Sequence, residues 1–306
     1  MTTTMRLPAS RTSRSSTQAT VQDLDTVLGS IAPVYLDELL NRAALQTRTD
    51  RKYVLAMDAT IGLLEDLRER AQILEIAGSH TFGYESVYFD TPALRSFMLA
   101  ARRRPARFKI RTRTYLDSGE CWLEIKTRDR RGRTVKARQP HDLADRRRVT
   151  PAGHEFVRAV LDEQRLSSEE AATLRPTLVT RYSRATLLVP GATPATDSRL
   201  TIDTGLVCSR DDSAVVRLPS RAVVETKSGA GASAVDRLLW SRGQRPSQIS
   251  KYGTGLVALD PRLPSAKWMR VLHRNPFEHT VLPAHGEPVL PRAGATFRPL
   301  SPEARS

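Results

Sequence analysis

The feature that most constrains the fold is a repeated alternation of charged and apolar residues in short segments of the chain. Residues two positions apart share one face of a β-strand, so each segment predicts a strand with one charged and one apolar face. The charged positions are mostly Arg and Lys, with a single carboxylate in several segments. They are Asp50 and Lys52; Lys109, Arg111 and Arg113; Glu124, Lys126 and Arg128; Lys136 and Arg138; Arg184; Arg199 and Asp203; and Glu225 and Lys227.

This alternation leaves two interpretations open. An antiparallel sheet can bury its apolar face and leave its charged face in water. Alternatively, the strands close into a barrel with a charged interior, and helices cover the apolar outer face. The second interpretation is favoured because helical segments with apolar stripes occur between the strands. The predominance of Arg also favours it, since the planar guanidinium suits phosphate and a solvated face would mix more polar types.

The periodicity predicts an α+β fold in which helices alternate with antiparallel strands. The predicted helices are 31–46, 58–73, 94–98, 151–161, 168–174 and 233–242, with a short helical segment at 250–252. The predicted strands are 48–55, 84–89, 107–116, 121–128, 133–138, 177–189, 199–204 and 222–227.

The ends of the chain differ from its centre in composition. Residues 1–30 are expected to form a disordered tail, because the first twenty are rich in Ser and Thr and lack acids. Residues 31–260 are expected to form one domain. Residues 261–306 hold eight of the 19 prolines and are expected to be an irregular tail. We expect no transmembrane helix, because no run approaches 18 apolar residues, and no secretory signal.

The formal net charge of +15 predicts an anionic partner. Residues 101–148 contain 17 Lys and Arg but only six acidic residues, so the excess is concentrated there. The Arg triplets 102–104 and 146–148 are too dense for one strand face and are expected to be exposed. With two cysteines, neither a disulfide framework nor a Cys-rich zinc site is expected. Nucleic acid is a less favoured partner, because aromatic residues make up only 6% of the chain.

Eight short motifs occur in a fixed order along the chain. They are TDRKY at 49–53, YFDTP at 88–92, FKIRTRTY at 108–115, LEIK at 123–126, YSR at 182–184, RLTIDT at 199–204, VETK at 224–227 and ISKY at 249–252. Together they resemble the VTC domain, the polyphosphate polymerase domain of the vacuolar transporter chaperone complex, in the triphosphate tunnel metalloenzyme superfamily. The resemblance extends over about residues 36–259.

The resemblance implies an eight-stranded antiparallel β-barrel tunnel with helices packed outside. It implies a lumen that binds nucleoside triphosphate and polyphosphate, and it suggests a role for each matched residue. The catalytic phosphate-holding residues would be Lys52, Arg111, Arg113, Lys126, Arg184 and Arg199. Further substrate contacts would be Lys136, Arg138, Lys227 and Lys251, and the metal ligands Glu225, Asp50 and Glu124.

The implied reaction is transfer of the γ-phosphate of ATP to a growing polyphosphate chain, with release of ADP. Mn²⁺ or Mg²⁺ would bridge the phosphate oxygens. We expect a cytoplasmic location. If the protein acts at a membrane, a separate membrane protein must supply the channel. Asp203 is expected to orient a lumen arginine rather than to bind the metal.

One departure from the wider superfamily concerns its Glu-x-Glu-x-Lys motif. The matching positions here are Arg48, Asp50 and Lys52, so one acid is replaced and another is shortened. Fewer carboxylates should weaken a two-metal hydrolytic site, which favours a polymerase over a triphosphatase. The alternatives are a tunnel-fold triphosphatase or nucleotidyl cyclase, and a non-catalytic polyphosphate-binding module.

Overall fold

A computed structural model describes residues 16–42, 49–211, 214–229 and 231–280 of the chain. The helices are α1 (Ser16–Gly29), α2 (Leu36–Arg42), α3 (Met57–Leu67), α4 (Arg95–Ala101), α5 (Pro151–Glu163), α6 (Ala234–Ser241), α7 (Lys251–Leu259) and α8 (Met269–Arg274). The strands are β1 (Ala32–Val34), β2 (Thr49–Ala56), β3 (Gln72–Leu74), β4 (Thr81–Asp90), β5 (Arg107–Tyr115), β6 (Cys121–Arg128), β7 (Thr134–Pro140), β8 (Arg175–Val189), β9 (Ser198–Asp211), β10 (Ala214–Arg217), β11 (Arg221–Ser228) and β12 (Glu278–Thr280).

The strands form one 12-stranded sheet. Eight of them make an antiparallel run in the order β2-β11-β9-β8-β4-β5-β6-β7. The strands β10 and β12 extend the sheet from the second half of β9, while β3 pairs with β8 and carries β1. In the described part of the chain, β2 and β7 do not pair with each other, so the sheet is not closed. The antiparallel sheet with outer helices is confirmed, but the eight-stranded barrel is not.

The two edge strands of this run have different surroundings. Strand β7 is largely exposed and carries Lys136 and Arg138, and charged side chains commonly protect an edge strand from further pairing. At the other end, the carbonyl of Lys52 accepts a hydrogen bond of 2.6 Å from the backbone N–H of Ser247. The loop before α7 therefore follows the outer edge of β2.

Helices cover the apolar face of the sheet, as the second interpretation of the alternation required. At one end of this face, α1, α3 and α6 pack over strand residues such as Tyr53, Leu200 and Val224. At the other end of the same face, α5 packs over residues such as Phe108 and Ile125. Burial of these large apolar side chains stabilises the fold. The charged positions of the same strands consequently point to the opposite, concave face.

Helix α7 packs against the concave face beside these charged positions. Its Tyr252 stacks on Tyr88, with ring centroids 5.0 Å apart, and its hydroxyl donates to the buried carboxylate of Asp90 at 2.5 Å. Asp90 also accepts backbone N–H groups at the start of α4, including those of Ser96 and Phe97. Asp90 is the aspartate of the YFDTP motif, and its hydrogen bonds hold α4 and α7 at the end of β4.

Replacing Gly253 by Ala should destabilise the protein, because a Cβ atom there would overlap the buried ring of Trp268. We expect the free energy of unfolding in urea to fall by about 1–3 kcal/mol. Gly62→Ala in α3 is the matched control, since its nearest neighbour would be Arg242 Nη1 at 3.7 Å. That variant should gain about 0.5–1 kcal/mol. Equal stability of the two variants would contradict the close packing of α7 against Trp268.

The structure corrects several boundaries. Helix α1 lies where residues up to 30 were expected to be disordered, and it is held by Leu24 and Leu28, which are buried against α3 and the sheet. Helix α8 and strand β12 lie within the segment expected to be an irregular tail. Of the described part of the expected helix 31–46, residues 31–42, only α2 is helical, and Ile73 lies on a strand rather than in a helix. Residues 1–15, 43–48 and 281–306 lie outside the described residues.

Two further predicted helices have different lengths in the structure. The segment 168–174 contains only a short 3₁₀ turn, Ala171–Thr173, instead of an α-helix. The short segment expected at 250–252 is the first turn of α7, which continues to Leu259. No helix in the described ranges is long and apolar enough to cross a membrane.

Candidate functional site

The concave face brings together the charged positions that the alternation predicted. In the register of β5 and β6, Arg111 is opposite Glu124 and Lys109 is opposite Lys126. In the register of β11, Lys227 is opposite both Asp50 on β2 and Arg199 on β9. The charged residues thus form three groups, each with one carboxylate at its centre.

The first group surrounds Glu124, which is 3% exposed. Its Oε2 accepts from Arg111 Nε at 2.8 Å and from Arg111 Nη2 at 2.7 Å. Lys136 Nζ lies 2.9 Å from Oε1, and Arg113 Nε lies 3.7 Å from Oε2. Burial would raise the pKa of Glu124, but Arg111, Arg113 and Lys136 outweigh it and hold the pKa well below its usual range. Glu124 therefore stays ionised and fixes Arg111.

The second group surrounds Asp203, which is 1% exposed. Arg184 donates to both carboxylate oxygens, at 2.6 Å from Nε and 2.8 Å from Nη2. Lys251, the first residue of α7, also pairs with this carboxylate. Burial raises the pKa of Asp203, but the two cations outweigh it and the pKa is lowered. The expectation that Asp203 orients a lumen arginine agrees with this geometry.

The third group surrounds Glu225. Lys52 Nζ lies 3.1 Å and Lys227 Nζ 3.6 Å from its Oε1. Burial favours the neutral acid, but Lys227 and Lys52 outweigh it, so the pKa of Glu225 lies well below its usual range. Burial lowers the pKa of Lys227 to about 7, although Glu225 partly offsets this effect.

Arg113 is a buried cation whose contacts leave part of its guanidinium without a hydrogen-bonded acceptor. It is 9% exposed, and its Nε has no hydrogen-bond partner within the described residues. Its guanidinium lies 5.6 Å from the ring centroid of Tyr84, which stacks on Tyr182 at 5.4 Å. Arg184 lies over both of these rings. Buried N–H groups are almost always satisfied, so the orphaned donor of Arg113 indicates a place for an external acceptor.

The remaining predicted residues line the more open parts of the same face. Lys126 is exposed on β6, and Arg138 lies over the ring of Trp122 with its guanidinium 4.5 Å from the ring centroid. Asp50 and Arg199 are half-buried on either side of Lys227. Trp122 thus supports a cation on this face.

The described residues do not form a metal centre made by protein ligands alone. No group of three or more His, Cys, Asp or Glu side chains occurs within the described ranges. Glu225 and Asp50 lie on neighbouring strands on the same face, but Glu225 is paired with lysines. Mg²⁺ commonly uses one or two carboxylates together with substrate phosphates. The donor set therefore fits a cation that arrives with a phosphate ligand.

Lys109 was not among the predicted site residues, although the alternation placed it on the charged face. Its Nζ lies 3.1 Å from Ser250 Oγ and 5.9 Å from the ring centroids of Tyr88 and Tyr252. Burial, with the nearby charge of Arg111, lowers the pKa of Lys109 to about 7. The alternation in the motif FKIRTRTY places Lys109 on the same face as Arg111 and Arg113. The lowered pKa could not be predicted from this pattern, because it depends on neighbours from α7.

The Arg triplet 146–148 is corrected in part. Arg147 and Arg148 are exposed, as expected. Arg146 is half-buried on the outer face, where its Nε donates to Glu85 at 3.2 Å. Arg181 donates to the other oxygen of Glu85 at 2.7 Å, so the buried Glu85 ties the loop after β7 to the sheet. Arg102, Arg103 and Arg104 are all exposed, as expected.

Comparison with known proteins gives one family match. A family model described as the VTC domain matches residues 47–260. A search of curated proteins found no match.

Solved structures with similar folds have low sequence identity. A Hippeastrum protein described as an adenylyl cyclase with a dominant triphosphatase activity is 16% identical, covering 67% of this chain and 93% of that one, with a TM-score of 0.41. A Pyrococcus horikoshii protein is 13% identical, covering 68% and 95%, with a TM-score of 0.39. A Vibrio parahaemolyticus protein described as a candidate adenylate cyclase is 13% identical, covering 73% and 92%, with a TM-score of 0.34.

Proposed function

The chain belongs to the VTC domain family, and from this premise we propose that it is a polyphosphate polymerase. It would transfer the γ-phosphate of ATP to the end of a polyphosphate chain and release ADP. The observation that carries the proposal is the buried, orphaned donor of Arg113 within a cationic concave face. A phosphate oxygen is the acceptor that this donor lacks, and guanidinium groups bind phosphate with fixed geometry.

Phosphoryl transfer requires alignment and charge neutralisation more than covalent chemistry from the protein. Arg111 is fixed by Glu124 and Arg184 by Asp203, so two guanidinium groups are held in place before substrate arrives. Such preorganised donors stabilise developing charge without reorganising during the reaction. The attacking phosphate oxygen is already anionic, so no general base is needed. Lys52, Lys126, Arg199 and the remaining lysines add positive charge along the path.

We propose that Mn²⁺ or Mg²⁺ is the cofactor. Glu225 would hold the ion with Asp50, and the ion would neutralise charge on the phosphate oxygens. Glu124 is less suited to this role than the sequence suggested, because Arg111 and Lys136 already occupy its two oxygens. Its geometry fits a residue that positions Arg111.

The test is incubation of the pure protein with ATP and Mn²⁺, followed by analysis of the products. The proposal predicts ADP and a polymer that exopolyphosphatase digests. Free phosphate as the only product would instead identify a triphosphatase, and a cyclic nucleotide would identify a cyclase. Glu225→Gln provides the control, because an enzyme should lose rate while retaining triphosphate binding. If the protein is only a binding module, neither the unaltered protein nor the Glu225→Gln variant will form polymer or any other product.

Triphosphate binding should be coupled to proton uptake by Lys109. Its free pKa is about 7, so much of it is neutral at pH 8, and an adjacent anion favours the charged form. The affinity should therefore decrease as the pH rises above 7. Arg111, Lys126, Lys52 and Lys267 are the charged groups near it, and Tyr88 and Tyr252 the titratable rings that face it.

Calorimetry of tripolyphosphate binding at pH 8, in buffers of different ionisation enthalpy, measures this proton uptake. Lys109→Arg is the control, because arginine stays charged throughout this pH range. The variant should take up fewer protons and show a weaker dependence of affinity on pH. Identical proton uptake by the variant and the unaltered protein would rule out Lys109 as the source.

A further inference from the structure

A second cationic feature lies at one end of the concave face, outside the three carboxylate groups. It is a surface pocket of about 400 Å³, hereafter the mouth pocket. Four basic side chains line it from three parts of the fold: Arg103 after α4, Arg107 and Arg128 at the paired ends of β5 and β6, and Lys267 before α8. The other lining residues are Gln248, Ile249, Ser250 and Trp268.

Among the described residues, no carboxylate pairs with the basic groups of the mouth pocket. Within the described ranges, none of the four makes an ion pair with an acidic residue, whereas Glu124, Asp203 and Glu225 each hold at least two cations. Burial lowers the pKa of Lys267, and the like charges of Arg107, Arg103 and Arg128 lower it further. Burial and the charge of Arg128 also lower the pKa of Arg107. Mutual repulsion of this kind is relieved by an anion.

The indole of Trp268 carries a buried polar atom beside the mouth pocket. Trp268 lines the mouth pocket and is 1% exposed. Its indole Nε1 is buried and has no hydrogen-bond partner within the described residues. Buried indole N–H groups usually find an acceptor. Because the ring itself is inaccessible, it does not provide a surface on which a nucleic-acid base can stack.

The mouth pocket is continuous with the charged concave face. Arg107, Lys109 and Arg111 occupy alternate positions of β5 and share its concave face. Ser250 lines the pocket and lies 3.1 Å from Lys109 Nζ. Arg107 and Arg111 are four residues apart, which corresponds to about 13 Å along a strand. An anion that reaches from Arg111 to the mouth pocket must therefore be an extended chain.

The two ends of β5 differ in charge. The mouth pocket carries four cations at the start of the strand. The turn that follows the strand carries Asp117 and Glu120, which are both exposed. A polyanion is attracted to the first end and repelled by the second. This difference in charge favours the extension of a bound polyanion from the concave face toward the mouth pocket.

We propose that the mouth pocket binds phosphate groups of the polyphosphate chain that extends out of the lumen. The proposal rests on the proposed function for the identity of the chain, and it adds a second holding site outside the catalytic centre. A chain held there remains near the lumen between successive additions, so the pocket should favour long products. Tripolyphosphate is too short to occupy the lumen and the mouth pocket together.

The test measures equilibrium binding of long-chain polyphosphate and of tripolyphosphate, without ATP, by the Arg103→Gln/Lys267→Gln double variant. We expect the affinity for the long chain to fall about tenfold and that for tripolyphosphate to change less than twofold. The salt dependence of long-chain binding should also decrease, because fewer ions are released. Arg102→Gln is the control, since Arg102 is exposed and does not line the pocket. It should bind both ligands like the unaltered protein.

This assay needs no turnover, so it remains informative if no polymer is made from ATP. Equal long-chain affinity in the double variant and the Arg102→Gln control would overturn the proposal. A loss confined to a single-stranded oligonucleotide of matched charge would also overturn it and assign the pocket to nucleic acid. Lys267 Nζ donates to the carbonyl of Ala100 at 3.0 Å, so its replacement carries a folding risk. If the double variant does not fold, Arg103→Gln alone gives the same comparison, because its side chain is exposed.

Discussion

The Arg113→Gln variant should transfer phosphate about 10²–10³-fold more slowly than the unaltered protein while keeping its fold. Removal of one preorganised donor from a site of developing charge typically costs this much in kcat. Arg113 is suited to the test because its structural contacts are few: a 3.7 Å approach to Glu124 and a position over the ring of Tyr84. Glu124 keeps Arg111 and Lys136 in the variant, so it remains paired.

Steady-state ADP release from ATP with Mn²⁺ measures this effect, together with thermal unfolding of the same preparation. Arg158→Gln on α5 is the matched control, because it makes the same chemical change at an exposed position outside the concave face. The control should retain the rate within about twofold. If Arg113→Gln and Arg158→Gln have similar rates, Arg113 does not contact the reacting phosphates.

The Asp203→Asn variant should lose about 3–5 kcal/mol in its free energy of unfolding, because it removes one side of a buried ion cluster. Arg184 and Lys251 would remain half-buried without the carboxylate that holds them. Tripolyphosphate should restore more stability to this variant than to the unaltered protein, since phosphate oxygens replace the missing acceptors. Urea unfolding with and without tripolyphosphate measures both effects.

The difference in unfolding free energy between Asp203→Asn and the unaltered protein should depend on pH. The reason is that the pKa of Asp203 is lowered, because the charges of Arg184 and Lys251 outweigh the effect of burial. A carboxylate with a lowered folded pKa stabilises the protein above its unfolded pKa of about 3.9 and loses this effect as the pH falls through the folded value. The two proteins should thus differ fully above about pH 5 and converge in strong acid. Asp37→Asn, at an exposed position of α2, should change stability by less than about 0.5 kcal/mol. A similarly small loss in Asp203→Asn would show that the cluster does not stabilise the fold.

The sequence predicted β5 and β6 well, predicted β4 and β9 too short, and missed the shortest strands. The period of two in FKIRTRTY and its neighbours defines β5 and β6 almost to the residue. Strands such as β3 and β12 have only three residues each, and their pairing depends on segments that are distant in sequence. Helix α7 was underestimated because Gly253 and Gly255 weaken its helical signal, whereas close packing against Trp268 and Cys208 requires small residues there.

The sequence predicted which charged residues share a face of the sheet, but it did not predict which of them pair with each other. Alternation placed the charged residues of each strand together, because that property is local. The pairing of Asp203 with Lys251, which are 48 residues apart in sequence, depends on where α7 packs. For the same reason, the lowered pKa of Lys109 and the mouth pocket could not be predicted. Both arise from groups that only the tertiary structure brings near β5.

A crystal structure of the protein with tripolyphosphate and Mn²⁺ tests most directly whether the concave face is the site of phosphoryl transfer. Phosphate oxygens should lie within hydrogen-bonding distance of Arg113 Nε and near Arg111 and Arg184. A Mn²⁺ ion should lie beside Glu225 and contact the phosphate oxygens. Tripolyphosphate bound only outside the concave face, with the Nε of Arg113 still lacking an acceptor, would contradict the proposed site.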